Sequence, residues 1–137
     1  MLYTLRYIWL APITLPMVLF NFFVGNKLIK VEKGIFYFYS PKATLYSWWF
    51  KTFKFAAITQ GAVITMLDKE YINSKRLIIH ENTHVLQELT LGMSFPIVYV
   101  LNSIVVWLMG KDLYYDNWFE KQAFRSEKTG RSLELWE

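Results

Sequence analysis

The residues best suited to chemistry lie in one short window, His80-Glu81-Asn82-Thr83-His84, which is an H-E-x-x-H motif. The chain has only two histidines, and this window contains both. If the window is helical, the two imidazoles lie on one face, one turn apart, and can reach the same ion. Glu81 is then turned by about 100° from His80, because a helix has 3.6 residues per turn. Its carboxylate therefore lies beside the metal, where it can accept a proton from bound water.

The third metal ligand must come from another part of the chain. Cysteine is absent, so the ligands have to be histidine, aspartate or glutamate. Glu120 is the first candidate, because it lies in a predicted helix whose small Ala123 follows one turn later and permits a close helix–helix approach. Glu127, two turns after Glu120 on the same face, is the second candidate, and Asp116 is the third.

The motif alone is a weak signal, because two histidines on a helix can simply be packed or face the solvent. Apolar residues flank it on both sides, at 77–79 and 85–86, which favours a position in the middle of a buried helix. The alternative for Glu120 is a solvated surface carboxylate. The placement of both histidines on one helical face, with a glutamate between them, favours the metal site.

The pattern around the motif predicts an α+β fold. We expect strands at 34–39 and 56–67, the second with a bulge or a close backbone approach at Gly61. Helices are expected at about 74–91, 94–109 and 116–128. Asn73 or Ser74 is the expected cap of the first, and Asp116 or Asn117 that of the third. The small sheet should pack on the H-E-x-x-H helix and on the C-terminal ligand helix. The chain is expected to form one metallopeptidase-like domain over 1–137, with an apolar membrane-associated segment at 1–25 and a catalytic core at 26–137.

The composition predicts association with a membrane. Hydrophobic residues make up 54% of 137 residues, more than a small domain can bury internally. Residues 7–24 are almost entirely apolar, but Pro12 and Pro16 argue against a straight helix. The alternatives are a kinked, re-entrant or interfacial segment, a true span, and a cleaved signal peptide. No cleavage site follows the apolar run, which argues against the signal peptide. Residues 94–109 are expected to be a buried helix or a partner for this N-terminal segment.

Aromatic and basic residues support the same interpretation. The run at 46–55 combines Trp48 and Trp49 with lysines, which is typical either of an aromatic core element or of an interfacial anchor. The net charge of +4 suits an anionic lipid surface better than a nucleic acid, given the positive mean hydropathy. Three lysines follow the N-terminal segment and only Arg6 precedes it, so the catalytic part is expected on the cytoplasmic side. The sequence gives no indication of a protein partner.

The spacing of the motifs resembles that of a known enzyme group. H-E-x-x-H followed on a later helix by Asn117-x-x-Glu120-x-x-Ala123 resembles the gluzincin branch of zinc metallopeptidases, and most closely small bacterial membrane-associated proteins of this type. Trp118 departs from the pattern, which has proline after the asparagine. The resemblance implies Zn²⁺ on His80, His84 and Glu120, with Glu81 as base. It also implies that the strand before the motif borders the cleft, where an extended substrate pairs with the sheet edge.

These observations predict a membrane-associated zinc hydrolase, a peptidase in which Glu81 activates a zinc-bound water. Gln87, close to one turn after His84, is expected to hydrogen-bond a histidine or its backbone. Tyr114 or Tyr115 is the expected oxyanion donor. Two alternatives are a non-catalytic membrane or assembly protein that keeps the zinc for stability, and a zinc amidase acting on cell-wall or lipid-linked amides.

Overall fold

The structure is a computed structural model that describes residues 2–41 and 44–134, with side chains described from residue 5 onward. The elements are α1 (Leu2–Phe23), β1 (Lys27–Glu32), β2 (Ile35–Tyr39), α2 (Leu45–Phe53), β3 (Ala57–Gln60), β4 (Val63–Met66), α3 (Lys75–Leu91), α4 (Phe95–Leu108) and α5 (Trp118–Thr129). The predicted α+β class is confirmed. The predicted domain at 1–137 and its apolar segment at 1–25 also include residues 1, 42, 43 and 135–137, which lie outside the described residues.

The four strands form one mixed sheet in the order β1-β2-β4-β3. β1 pairs antiparallel with β2, β2 parallel with β4, and β3 antiparallel with β4. Lys33 and Gly34 connect β1 to β2 with positive φ angles of 50° and 80°, the conformation of a two-residue hairpin turn. The sequence analysis predicted β2 but not β1, because β1 is exposed along most of its length and carries no buried alternating face.

Gly61 divides the predicted strand at 56–67 into two, so the expectation of one continuous strand is wrong. The chain reverses there, and β3 and β4 form a hairpin around Gly61, which has a φ of 66°. A Cβ on this glycine would lie 2.9 Å from Thr14 Oγ1, so the predicted close backbone approach is confirmed. Glycine satisfies both requirements, since it tolerates a positive φ and leaves room for α1.

α1 is one continuous helix with Pro12 and Pro16 inside it, although the two prolines argued against a straight helix. Packing along its length compensates for the backbone hydrogen bonds that the prolines remove. Leu10 lies in the hydrophobic core, Thr14 Oγ1 accepts from Ala62 N at 3.0 Å, and Asn21 Oδ1 accepts from Thr65 Oγ1 at 2.9 Å. α1 therefore lies against the sheet rather than projecting from it.

Two caps determine where the helices of the motif region begin. Ser74 Oγ accepts from Leu77 N at the start of α3, and Asn117 Oδ1 accepts from Phe119 N at the start of α5. Both caps agree with the sequence prediction. α5 packs along α3, and Ala123 is fully buried, as its small side chain suggested.

Two helical segments are long and apolar enough to cross a membrane, Leu5–Phe23 with 19 residues and Lys75–Leu108 with 34 residues. The second segment consists of α3 and α4, which are joined by the short 3₁₀ turn Gly92–Ser94. The Trp9 indole of α1 packs so closely on Gly92 that a Cβ at this position would clash with it. Most of α4 is exposed, so the alternative of a buried helix at 94–109 is wrong. In α2, Tyr46 and Phe50 are buried, as an aromatic core element requires, whereas Trp48 and Trp49 are exposed. The interfacial anchor stays a prediction.

Candidate metal centre

Three side chains from two helices converge at one point. α3 presents His80 and His84 one turn apart, and α5 presents Glu120 against them; all three residues are buried. His80 Nε2 lies 3.1 Å from Glu120 Oε2, His84 Nε2 lies 3.4 Å from the same oxygen, and the two Nε2 atoms are 3.3 Å apart. The two histidines and the glutamate predicted as ligands are therefore brought together.

The three distances fit a single tetrahedral ion. Zinc bonds to histidine nitrogen and carboxylate oxygen at about 2.0–2.2 Å, which makes the edge of a tetrahedron about 3.3–3.6 Å long. The observed separations of 3.3 and 3.4 Å lie within this range, and the separation of 3.1 Å lies just below it. Three ligands of this kind leave a fourth position open, as catalytic zinc sites do.

Hydrogen bonds on the other ring nitrogens decide which atoms are protonated. His80 Nδ1 lies 2.7 Å from Glu127 Oε1, and His84 Nδ1 lies 2.8 Å from Gln87 Oε1. Carboxylate and amide oxygens only accept, so both Nδ1 atoms must carry the hydrogen. In the neutral imidazole the Nε2 atom then has a free lone pair, which is the form that binds metal.

The orientation of the Gln87 amide is itself fixed by its neighbours. Gln87 Nε2 donates to Phe119 O at 3.0 Å and to Gln122 Oε1 at 2.9 Å. Gln122 in turn donates from Nε2 to Glu134 O at 2.6 Å. Each amide nitrogen therefore faces acceptors, so Gln87 Oε1 faces His84. The expectation that Gln87 would hydrogen-bond a histidine is confirmed.

These bonds leave three lone pairs, two from imidazoles and one from a carboxylate, facing one another in a buried space. Such an arrangement is unfavourable without a cation between them. A proton on one imidazole would satisfy one contact at a time, whereas a metal ion satisfies all three at similar distances. The donor set of two histidines and one glutamate therefore fits a metal ion, and its nitrogen and oxygen atoms suit zinc.

Glu120 is prepared for this role by its surroundings. Tyr99 donates from its hydroxyl to Glu120 Oε1 at 2.6 Å, which leaves Oε2 directed at the histidines. Without a metal, His84 carries a proton: burial lowers its pKa, but the carboxylates of Glu120 and Glu81 and the hydrogen bonds with Glu120 and Gln87 outweigh burial and raise it to about 9. Burial likewise opposes ionisation of the Glu120 carboxyl, but the charge of His84 and the hydrogen bonds from His80, His84 and Tyr99 outweigh it and hold the pKa of Glu120 well below the usual range. Glu120 is thus a carboxylate whenever the protein is folded at neutral pH.

Glu81 lies beside the cluster and is held from the sheet side. Thr59 of β3 donates from Oγ1 to Glu81 Oε2 at 2.7 Å. One helix position after Glu81, Asn82 Oδ1 accepts from the Tyr37 hydroxyl of β2 at 3.0 Å, which ties α3 to the sheet a second time. The carboxylate is buried and borders the same cavity as the ligands, so its position is set by β3 as well as by α3.

A cavity of about 440 Å³ adjoins the centre. Its floor contains His80, Glu81, His84 and Glu120. Tyr114 lines it, and burial together with the carboxylates of Glu120 and Glu81 raises the pKa of this phenol above its usual value. Tyr114 therefore remains a neutral hydrogen-bond donor, while Tyr115 is largely exposed and lies in a different groove.

The remaining sequence candidates lie outside the ligand set. Glu127 contacts the far nitrogen of His80 and also pairs with Arg76, so it orients a ligand. Asp116 pairs with Lys121 at 3.2 Å on the surface. Sequence reasoning missed Thr59 and Tyr99, because each comes from an element whose packing against α3 or α5 no local pattern reveals.

Comparison of the chain with known protein families, with curated proteins and with solved structures found no significant match.

Proposed function

We propose that this protein is a membrane-associated zinc hydrolase that cleaves peptide bonds. The observation that carries the proposal is the convergence of His80, His84 and Glu120 with their lone pairs directed at one point, next to a cavity that Glu81 also borders. Zinc in this position would polarise a substrate carbonyl and lower the pKa of its bound water to about 7. The gluzincin resemblance of the motifs supports the same assignment.

Glu81 is the proposed general base. It belongs to α3, as His80 and His84 do, yet its carboxylate is hydrogen-bonded to Thr59 rather than to either histidine. It can accept a proton from the attacking water and pass it to the leaving amine, which contributes typically 10²–10⁴-fold to such reactions.

The position of β3 supports a peptide as substrate. β3 is the terminal strand of the sheet, and all four of its residues, Ala57–Gln60, line the cavity. Side chains alternate between the two faces of a strand, so four consecutive lining residues indicate that the cavity runs along the strand edge. An extended peptide can therefore add to this edge through main-chain hydrogen bonds and lie across the floor.

Tyr114 is the proposed donor to the developing oxyanion. It lines the cavity and stays protonated, whereas Tyr115 does not border the cavity. Tyr99 also borders the cavity, and both phenol hydroxyls interact with Glu120, that of Tyr99 at 2.6 Å from Oε1. A preorganised donor of this kind is typically worth 10²–10³-fold in rate.

The membrane assignment rests on the exposed apolar faces of α1 and α4. Large apolar side chains point outward along both helices, among them Leu15, Leu19, Ile97, Leu101, Ile104 and Trp107. The opposite side of α1 packs on the sheet along its length, from Leu10 to Asn21. We therefore propose that the two helices lie in one membrane leaflet and anchor the protein by a single face. The cytoplasmic location of the catalytic part stays a prediction.

The test is zinc content and peptide cleavage, measured side by side for the wild type and Glu81→Gln. Purified protein in detergent is incubated with a mixture of peptides of defined sequence, and new termini are identified by mass spectrometry. We expect about one zinc per chain in both proteins and cleavage by the wild type alone. Zinc in both proteins with no cleavage by either would indicate a metal that only stabilises the fold. Cleavage of amides other than peptides would favour the amidase alternative.

A further inference from the structure

We propose that the substrate is an apolar polypeptide segment presented by the membrane, which reaches the metal centre between α1 and α4. This inference rests on the proposed hydrolase function and names the class of substrate for the same site. It follows from which helices build the cavity, where the cavity opens, and which charges it lacks.

The two helices that are proposed to face the membrane also contribute to the cavity. Its lining includes Ile13 and Met17 from α1 and Phe95, Pro96 and Val100 from α4. The junction of these helices is fixed, because the Trp9 indole of α1 packs onto Gly92 at the start of the α4 segment. A substrate beside the zinc therefore touches the same helices that are proposed to contact lipid.

The mouth of the cavity lies on the apolar surface. Pro96 and Val100 line the cavity and are also exposed, Val100 by 54%, so both residues stand at the opening. The exposed neighbours on α4 are Ile97, Leu101 and Ile104. Both lining residues therefore lie beside the exposed apolar side chains of α4, which an apolar segment in the outer part of the bilayer would contact.

The charges around the cavity select against acidic groups on a substrate. Among the described residues that line it, none is lysine or arginine. A terminal carboxylate or an acidic side chain would therefore find no cation there besides the metal. The carboxylate of Glu88 is engaged by Gly61 N at 2.6 Å. The space accordingly fits an internal stretch of chain with large apolar side chains, each of which gains binding by leaving water or the lipid headgroup region.

The position of the opening can be measured directly, because the chain contains no cysteine. Val100→Cys carries one environment-sensitive label at the mouth, and Val31→Cys carries the same label on β1, where Val31 is similarly exposed at 51%. In vesicles of phosphatidylglycerol and phosphatidylethanolamine, we expect lipid-borne nitroxide to quench the Val100 label and aqueous iodide to quench the Val31 label. Quenching of the Val100 label by iodide alone would overturn the proposed route.

The occupant is tested by binding rather than by turnover. The zinc-loaded chain in detergent is titrated with a dileucine hydroxamate and with a diaspartate hydroxamate, both of which bind zinc through the hydroxamate. We expect the dileucine probe to bind at least roughly tenfold tighter. Met17→Ser should reduce this preference severalfold, whereas Leu19→Ser, on the same helix but outside the cavity, should not. Partitioning of a probe into micelles depends on the probe, so it is the same in the titrations of both variants.

The two proposals fail in different ways. Equal or tighter binding of the diaspartate probe would overturn the apolar substrate class even if the enzyme cleaves peptides. A persistent preference for the dileucine probe, with no peptide cleaved by the wild type, would overturn the hydrolase function while supporting an apolar peptide as the ligand of the cavity.

Discussion

Thr59 Oγ1 lies 2.7 Å from Glu81 Oε2, so the edge strand β3 holds the carboxylate that we propose as general base. Thr59 also lines the cavity, so one residue contacts the proposed base and borders the proposed path of the substrate. The hydroxyl fixes the rotamer of Glu81 without contacting any of the three metal ligands.

Thr59→Val removes this hydrogen bond while keeping the shape of the side chain. A hydrogen bond to a charged group is worth about 1.5–3 kcal/mol, so we expect turnover to fall roughly ten- to hundredfold. Zinc content should stay at the wild-type level. Thr52→Val is the matched control, because Thr52 donates to Trp48 O on the exposed side of α2. Unchanged turnover in Thr59→Val would show that α3 alone positions Glu81.

Glu127 is predicted to influence metal binding through its hydrogen bond with His80. Its Oε1 accepts from His80 Nδ1 at 2.7 Å, which fixes the tautomer and raises the basicity of Nε2. In Glu127→Gln the amide oxygen can still accept this hydrogen, but without the negative charge. We expect zinc affinity to fall about tenfold, measured by competition with a chromogenic chelator. Glu70→Gln, at an exposed position, is the control.

Complete loss of zinc in Glu127→Gln, together with retention in Glu120→Ala, would mean that the two glutamates exchange roles. The geometry argues against this outcome, since Glu120 Oε2 lies within 3.4 Å of both Nε2 atoms.

Local sequence patterns predicted the parts of the site that depend on one helix. The spacing of His80 and His84 determines their common face, and Ser74 and Asn117 mark two helix starts that the structure confirms. The pairing of α3 with α5 was predictable from the gluzincin spacing, which placed Glu120 with the histidines. Periodicity alone left Glu127 and Asp116 as alternatives.

The rest depends on contacts between elements distant in sequence. Thr59 meets Glu81 only because Gly61 reverses the chain and makes β3 an edge strand, and the β-branched pattern of 56–67 does not distinguish a hairpin from one long strand. In the sequence, Tyr99 is one residue of an apolar helix, and its hydrogen bond to Glu120 forms only because α5 packs beside that helix. Helix continuity through Pro12 and Pro16 likewise depends on packing against the sheet.

Removal of the metal should destabilise the fold. Without the metal, only a proton on His84 offsets the facing lone pairs of His80, His84 and Glu120. A ligand at a thousandfold excess over its Kd contributes about 4 kcal/mol of stability. For a chain of this size that corresponds to a shift in Tm on the order of 10 °C. The measurement is tryptophan fluorescence during heating, with and without EDTA.

His84→Ala provides the comparison for this experiment. We expect its Tm to be low and insensitive to EDTA, because the ligand set is incomplete. An equal response to EDTA in the wild type and in His84→Ala would place the stabilising metal elsewhere in the protein.

Membrane binding should depend on the exposed faces of α1 and α4. Deletion of 1–25 is unsuitable as a test, because it removes Leu10 from the core and Thr14 and Asn21 from buried hydrogen bonds. We instead combine Leu19→Glu with Ile104→Glu, which introduces one charge on each helix. Leu19 is 70% exposed, so its replacement leaves the core intact.

Each replacement is expected to weaken binding by about 1–3 kcal/mol, so the double variant should bind vesicles at least roughly tenfold more weakly than the wild type. The measurement is sedimentation with vesicles that contain anionic lipid. The control is Leu28→Glu combined with Val31→Glu, which places the same charges at exposed apolar positions of β1. If β1 carried the membrane contact, this control would lose binding and the α1–α4 variant would keep it, since a charge weakens binding only where the side chain enters the lipid.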